Sequence, residues 1–145
     1  MTETNSIPEK GLIDTNLLVY LVDNSDAKKH QAVKEFFEAI QGHRRDYFIS
    51  TQNLREFSNT MVNKTNASIE KIQLYLTQFY LTFNVLHENV MDSHAAIALT
   101  RETKTPFWDA LLSSTAKRHE IKLIYTENTK DFERIPGIKV INPFK

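Results

Sequence analysis

Short apolar segments alternate with helical stretches along almost the whole chain. The apolar segments lie at 11–14, 47–50, 84–86, 121–125 and 138–141. A connection that contains a helix returns the chain to the same end of a sheet, so the strands that it joins run parallel. Helices then cover both faces of the sheet. The sequence therefore predicts an α/β fold, a small three-layer α/β/α sandwich with a mostly parallel central sheet.

The helical stretches are recognised by apolar residues that recur at spacings of three and four. One example is the stripe that contains Val33, Phe37 and Ile40. The predicted helices span 15–22, 26–41, 53–62, 67–83, 88–103 and 106–119. We expect Thr105 to cap the last helix and Pro106 to occupy its first position, where a missing N–H is tolerated.

Length and composition narrow the class of protein. The chain has 145 residues, the size of one domain, which we divide into a polar N-terminal tail, 1–10, and a folded domain, 11–145. It has no cysteine, which excludes disulfides and thiol nucleophiles. No segment approaches the roughly 20 apolar residues that cross a bilayer, and the N-terminal segment lacks the features of a signal peptide. We therefore expect a soluble, cytoplasmic protein without membrane contact.

Acidic and amide residues stand where predicted strands give way to helices. Asp14 ends the first strand, Glu56 follows the second, and Asp109 begins the helix before the fourth. Three further polar residues follow the fourth strand; they are Glu127, Asn128 and Asp131. Ligands of parallel sheets bind outside the carboxyl ends of the strands, so these groups are expected to meet at one rim.

Each of these residues also has a purely structural interpretation. Asp14 is suited to cap the first helix, Asn53 with Glu56 fits a capping box, and Asp109 suits a helix N-terminus. Capping does not explain an aspartate that emerges directly from an apolar strand. It also does not explain the acid-rich turn at 127–131. Taken together, the residues favour a site.

A shared pocket of carboxylates has a direct chemical consequence. Two unit charges about 4 Å apart repel by about 4 kcal/mol at an effective dielectric constant of 20, so several carboxylates need protons or a cation. All-oxygen ligands suit Mg²⁺ or Mn²⁺. Such a cation activates water and stabilises charge on phosphoryl oxygens. The pattern therefore indicates hydrolysis of a phosphate ester.

With these residues in place, the sequence resembles the PIN-domain nucleases, and among them the VapC-type toxins of toxin–antitoxin pairs. Four stretches carry the resemblance, in order and spacing from Leu12 to Phe144. They are LIDTNLLVYLVD, ISTQNLREF, TPFWDALLSSTAKRHE and IYTENTKDFERIPGIKVINPF. Together the four stretches are fairly specific, whereas any one alone is weak. The resemblance implies a PIN-like fold and a Mg²⁺- or Mn²⁺-dependent endoribonuclease that cuts structured RNA, commonly tRNA or ribosomal RNA.

The resemblance also implies roles for individual residues. Asp14 and Asp109 would bind the metal directly, and Glu56 would complete the acidic pocket and position or deprotonate the attacking water. Asn16 and Thr126 would donate hydrogen bonds around these ligands.

The fourth acidic position is the point at which this sequence departs from the family pattern. Asn128, an amide, stands closest to Thr126, while Glu127 and Asp131 flank it. We favour Asp131 as the fourth acid because it stands in the pair Asp131-Phe132. An amide at this position would weaken a second metal site and favour a mechanism with one metal.

Expected partners follow from the resemblance and from one helix. The stretch 67–83 is apolar on nearly all sides, which fits either a deep core helix or an interface. The resemblance favours an interface, so we expect a homodimer and a cognate antitoxin. Trp108 could stack on a base, although an aromatic residue at a helix start is more often part of the core.

Two other functions stay open at this point. One is a PIN-like domain that acts on DNA, and the other is a degenerate domain that only binds a partner. Equal numbers of acidic and basic residues, 18 of each, mean that any attraction to nucleic acid must be local.

Overall fold

A computed structural model of the protein describes residues 7–145. Its sheet has five strands, all parallel, in the order β3-β2-β1-β4-β5. The strands are β1 (Leu12–Ile13), β2 (Phe48–Ser50), β3 (Asn84–Leu86), β4 (Leu123–Tyr125) and β5 (Lys139–Ile141). The first strand of the chain is therefore the central strand of the sheet, with β2 on one side and β4 on the other.

Seven α-helices connect and cover the strands. They are α1 (Thr15–Val22), α2 (Ala27–Ala39), α3 (Thr51–Lys64), α4 (Ile69–Thr82), α5 (Val90–Thr103), α6 (Phe107–Arg118) and α7 (Thr129–Phe132), with a short 3-10 helix at Arg44–Asp46. Every predicted strand and helix is present, with its ends displaced by at most two residues. The four-residue α7 is not predicted, because it is too short to carry a helical repeat.

Alternate strand residues supply two cores on opposite faces of the sheet. Ile13 packs with the apolar residues of α1 to α4, whereas its neighbour Leu12 packs with Leu112 of α6 and Phe132 of α7. A strand places successive side chains on opposite faces, so these contacts follow from the strand period. The α/β/α sandwich that the sequence predicts is confirmed.

Gly11 lets β1 lie close to β4. A Cβ atom at this position would lie 2.8 Å from the carbonyl oxygen of Leu123. Any side chain here would therefore push apart the two strands whose ends carry the site.

Two of the predicted helix caps are wrong in position. Helix α3 starts at Thr51, and its N-cap is Ser50, whose backbone N–H donates to Asn53 Oδ1 at 2.8 Å. Asn53 is thus the N3 residue of the capping box and not its N-cap, and Glu56 takes no part in the box. Helix α6 has Pro106 at the N-cap and no capping side chain, while Thr105 Oγ1 donates to the carbonyl oxygen of Asp131 at 3.2 Å.

Helix α4 buries only part of its apolar surface. Ile72 and Phe79 are buried against the core. Four other apolar residues of the helix are exposed; they are Ile69, Leu74, Tyr80 and Leu81. The helix is therefore not a deep core helix.

The start of the described chain contacts the domain. The hydroxyl of Tyr125 donates to the carbonyl oxygen of Glu9 at 2.5 Å, and Lys139 pairs with the Glu9 side chain at 3.0 Å. The rest of the predicted tail, residues 1–6, lies outside the described residues. Within residues 7–145, no helix has both the length and the apolar character needed to cross a membrane.

Candidate active site

The candidate residues lie at the carboxyl ends of the central strands. Asp14 follows β1 directly, Thr126 follows β4, and α3 begins directly after β2. After β1 the chain adds β2 and then β3 on one side of it. The chain then crosses to the other side of β1, where it adds β4 and β5. Such a reversal of strand order opens a crevice at the carboxyl ends, which is where α/β proteins bind ligands.

Asp14 is held in place by donors on both carboxylate oxygens. The backbone N–H of Thr15 donates to Oδ1 at 2.8 Å, and the hydroxyl of Thr126 donates to Oδ2 at 2.7 Å. The amides of Asn53 and Asn16 lie farther away, at 3.3 and 3.4 Å. Asp14 is also the N-cap of α1, so the capping interpretation and the site interpretation describe the same side chain.

Glu56 reaches the same site from the second turn of α3. Its Oε2 accepts a hydrogen bond from the hydroxyl of Thr15 at 3.1 Å, and its Oε1 accepts one from Gln52 Nε2 at 2.8 Å. Asn53, one turn earlier, donates to the hydroxyl oxygen of Thr15 at 3.1 Å. Thr15 therefore links the first strand end to α3.

Asp109 enters from the first turn of α6 and is held by Asn128. The amide Nδ2 of Asn128 donates to Asp109 Oδ2 and to Asp131 Oδ2, both at 3.0 Å. Asp131 thus approaches the site through the amide of Asn128. The amide itself lines the cavity described below.

Glu127 is directed away from the other acids. Its carboxylate pairs with the ammonium group of Lys29 and accepts a hydrogen bond from Tyr20 OH at 3.0 Å. Only its backbone N–H contacts the site, by donating to Asn16 Oδ1 at 3.2 Å. Asn16 in turn donates to Thr126 Oγ1 at 3.2 Å.

Three carboxylates border one cavity of about 360 Å³. They are Asp14, Glu56 and Asp109, and the rest of the lining is Thr15, Asn16, Val19, Tyr20, Thr60 and Asn128. The structure therefore brings together the three acids that the sequence places at separate strand ends, with Asn128 as the fourth polar group.

Burial and neighbouring negative charge raise the pKa of two of these acids. Burial raises the pKa of Asp14 from 3.8 to about 6; the hydrogen bonds from Thr126 and Thr15 oppose the rise and the charge of Glu56 adds to it. Burial and the charges of Asp14, Asp131 and Glu56 raise the pKa of Asp109 from 3.8 to about 7, against the hydrogen bond from Asn128. A positive charge in the cavity would reverse these shifts.

The donor set of the cavity fits a hard divalent cation. It consists of carboxylate and amide oxygens, the ligands that Mg²⁺ and Mn²⁺ prefer. Within the described residues, no three acidic or histidine side chains already stand at ligand spacing. The raised pKa of Asp109, caused in part by the charges of Asp14 and Glu56, is the observation that favours a cation here.

Gln52, Asn53 and Tyr20 belong to the site but are not among the residues that the sequence predicts for it. Gln52 and Asn53 are buried, although both are polar and stand in the first turn of a helix. Their adjacency to Glu56 in the stretch TQNLREF is the one signal that could have pointed to them. Tyr20 has no such signal, because a tyrosine on a helix is ordinarily a packing residue.

Comparison with known proteins agrees with this geometry. The family model of the PIN domain matches residues 11–138. The chain therefore belongs to the PIN domain family, a family of nucleases. A search of curated protein sequences gave no significant match.

Solved structures with a similar fold include toxin–antitoxin proteins. A toxin–antitoxin complex from Klebsiella pneumoniae is 26% identical, with a TM-score of 0.66, and the alignment covers 92% of this chain and 98% of that one. VapBC2 from Rickettsia felis, bound to a DNA fragment from its promoter, is 20% identical with a TM-score of 0.67, covering 90% and 96%.

A third structure of similar fold is a toxin with a known target. VapC20 from Mycobacterium tuberculosis, a toxin that cleaves the sarcin–ricin loop, is 16% identical with a TM-score of 0.66, covering 81% of this chain and 89% of that one. At identities below 25%, the second and third likenesses concern the fold.

Proposed function

We propose that this protein is a metal-dependent endoribonuclease and the toxin of a toxin–antitoxin pair. The observation that carries the proposal is the convergence of Asp14, Glu56 and Asp109 on one cavity, with a raised pKa at two of them. The Klebsiella neighbour is a toxin–antitoxin complex, which supports the choice of an antitoxin. The Mycobacterium neighbour is a toxin that cleaves the sarcin–ricin loop, which supports the choice of RNA.

In this proposal Asp14, which follows β1, and Asp109, in the first turn of α6, would hold Mg²⁺ or Mn²⁺. When bound, the cation supplies charge stabilisation for the phosphoryl oxygens and lowers the pKa of water. Thr126 and Asn16 keep the Asp14 carboxylate in a fixed orientation through the contacts at 2.7 and 3.4 Å.

Glu56 acts as the base of the reaction. It has no cationic partner in the described structure, and its two oxygens face Thr15 and Gln52 beside the cavity. It accepts the proton of the water that attacks phosphorus, while the leaving oxygen of the phosphodiester takes up a proton from solvent. Hydrolysis is then complete without a covalent intermediate.

The fourth polar position belongs to Asn128 and Asp131 jointly. Asn128 borders the cavity, and its amide carries hydrogen bonds to both Asp109 and Asp131. An amide gives no negative charge for a second cation, which favours one metal. Asp131 contributes negative charge at Asp109.

The proposed partners use the exposed apolar surface of the helices. Leu74 and Leu81 on α4, and Val90 and Met91 on α5, are large apolar side chains that lie exposed. We assign such surface to a second copy of the chain and to a cognate antitoxin, in the cytoplasm, with tRNA or ribosomal RNA as substrate. Sedimentation of the purified chain alone and with a co-expressed antitoxin measures both associations.

Cleavage assays with matched variants test the proposal. The parent should cut tRNA or ribosomal RNA in Mg²⁺ or Mn²⁺ and lose this activity in EDTA. Asp14→Asn and Asp109→Asn should each abolish cleavage and growth arrest with unchanged circular dichroism. Glu102→Gln, which alters an exposed acid on α5, is the control and should cut as the parent does.

The alternatives give different results in the same assays. A nuclease that acts on DNA would cut single-stranded DNA in preference to both RNAs. A degenerate binding domain would cut nothing and would bind no Mn²⁺ in a calorimetric titration. Full activity of Asp109→Asn would show that the site is placed wrongly.

A further inference from the structure

A second depression, which we call the flank groove, opens beside the acidic cavity. It has a volume of about 730 Å³, and its own lining is Gln52, Arg55, Asn59, Glu88, Trp108 and Leu111. Glu56 and Asp109 border both the groove and the acidic cavity. A chain that crosses the acidic cavity can therefore continue directly into the groove.

Trp108 forms an exposed wall of this groove. Its side chain is 61% exposed, so it is not the core residue that its position at a helix start suggests. The ring meets Phe107 edge-on, with 5.2 Å between centroids and an interplanar angle of 75°. Phe107 can cover at most one face of the indole, so at least one face of this exposed ring is left for another planar group.

Gln52 brings an unsatisfied acceptor to the same groove. Its Nε2 donates to Glu56 Oε1 and to the carbonyl oxygen of Trp108, both at 2.8 Å. Both neighbours are acceptors, so the NH₂ group must face them and Oε1 must face the other way. Among residues 7–145 this oxygen has no hydrogen-bond partner, and it is buried, so a ligand reaches it only when the Gln52 side chain shifts toward the groove. An unpaired buried acceptor is costly, so a shift that pairs it with the N–H edge of a ligand would be favoured.

Charge distinguishes which part of a nucleic acid fits the groove. Glu56, which has no cationic partner among the described residues, borders the groove and repels a phosphate placed directly beside it. An uncharged base has no such penalty and gains from stacking on an aromatic ring. Arg55 also lines the groove; its Nη1 pairs with Glu88, but its side chain is largely exposed, so its other guanidinium N–H groups can reach the next phosphate.

We propose that the flank groove is the subsite for the nucleobase next to the scissile phosphate of a single-stranded RNA segment. The base stacks on Trp108 and donates from its edge to Gln52 Oε1, while Arg55 binds the following phosphate. This inference rests on the proposed function, since it assigns the neighbouring nucleotide of the same substrate.

The fluorescence of Trp108 reports stacking directly, because it is the only tryptophan of the chain. The probe is a single-stranded RNA oligonucleotide added to the Asp14→Asn variant, which should bind without cutting. We expect saturable quenching of the emission. Oligonucleotides with one abasic site, moved stepwise along the strand, should lose the quenching at one position and keep it at the others.

Substitution of Trp108 gives the functional arm of the test. Trp108→Ala should raise KM for the oligonucleotide about fivefold to 150-fold, the range expected for the loss of one stacked base, while kcat changes less. Trp108→Phe should recover most of the loss because it keeps an aromatic face. Val62→Ala removes an exposed apolar side chain elsewhere on α3 and should leave KM unchanged.

The outcomes separate this inference from the proposed function. If the parent cuts RNA but Trp108→Ala has the same KM and no abasic position restores emission, the subsite is wrong and the nuclease stands. If no RNA is cut, the proposed function fails, and position-dependent quenching would still support a base site. Emission that shifts to the blue with protein concentration and ignores RNA would assign Trp108 to contact with a second copy and overturn the subsite.

Discussion

The hydroxyl of Thr126 lies 2.7 Å from Asp14 Oδ2, although the two residues are 112 positions apart in the chain. This hydrogen bond joins the ends of β1 and β4 and opposes the rise of the Asp14 pKa that burial causes. In the proposed function Thr126 therefore acts through Asp14, as a positioning residue.

Removing this hydroxyl should weaken both stability and catalysis. Thr126→Val keeps the shape but loses a hydrogen bond to a charged group, which is worth about 1.5–3 kcal/mol. We expect kcat to fall about tenfold or more, with the pH profile of kcat displaced upward because the pKa of Asp14 rises. Thr126→Ser keeps the hydroxyl and should restore the parent profile; an unchanged profile in Thr126→Val would contradict the assignment.

Asp109→Asn should stabilise the metal-free protein while it abolishes activity. The substitution removes a carboxylate that burial and the charges of Asp14, Asp131 and Glu56 disfavour. Each pKa unit of such a shift corresponds to about 1.4 kcal/mol, so a gain on the order of 1–3 kcal/mol is expected above neutral pH. Urea unfolding in EDTA measures the gain, and a less stable variant would mean that Asp109 is not in a repulsive setting.

The stability of the metal-free protein should fall as pH rises toward neutrality. Asp14 and Asp109 have pKa values of about 6 and about 7 in the folded state, raised from 3.8. Their contribution to stability is fully present below 3.8 and is lost as pH rises through these folded values. Unfolding free energies at about pH 5 and about pH 8 should differ less in the Asp14→Asn and Asp109→Asn double variant. Equal differences in the two proteins would argue against the shifts.

Substitution of Glu127 should preserve cleavage, whereas substitution of Asp14, Glu56 or Asp109 should abolish it. Its carboxylate is engaged by Lys29 and Tyr20, and Glu127 itself is not among the residues that line the cavity. Glu127→Gln should keep cleavage within roughly tenfold of the parent, as expected for loss of a partly exposed ion pair. The double variant Lys29→Glu/Glu127→Lys restores the ion pair with its charges exchanged. It should be more active than Lys29→Glu alone or Glu127→Lys alone. Complete loss in Glu127→Gln would make Glu127 a ligand.

Gly11→Ala should damage the fold and the site together. The added Cβ would meet the Leu123 carbonyl oxygen at 2.8 Å, a contact that only strand movement can relieve. We expect a loss of about 1–3 kcal/mol in urea unfolding and reduced cleavage, because β4 carries Thr126. Gly42→Ala is the comparison, since no atom lies within 4 Å of its added Cβ, although its φ of +88° carries a local cost.

The fold could be read from the sequence because its signals are local. Apolar segments such as 47–50 and stripes such as Val33 and Phe37 report burial within a few residues of chain. The parallel sheet then follows from the connection rule. The helix starts were harder to predict. Ser50 with Asn53 and Asn53 with Glu56 both have the spacing of a capping box, and only the structure shows that the first pair forms it.

The site was predictable only in part. Asp14, Glu56 and Asp109 were expected at one rim, and the structure places them around one cavity. The sequence could not tell that Glu127 turns to Lys29 while Asn128 turns inward, since neighbouring residues of a turn have no periodic signal. The long-range contact of Gln52 with Trp108 could not be predicted either, because it depends on how α3 and α6 pack against each other.

The central place of β1 determines when a growing chain can become active. Its Asp14 is made early in synthesis, but the partners Thr126 and Asn128 lie after β4, which pairs with β1 near the end of the sequence. Contacts between such distant residues form late because a long loop must close first. A ribosome that is still translating this protein therefore carries a chain whose proposed catalytic site is not yet assembled.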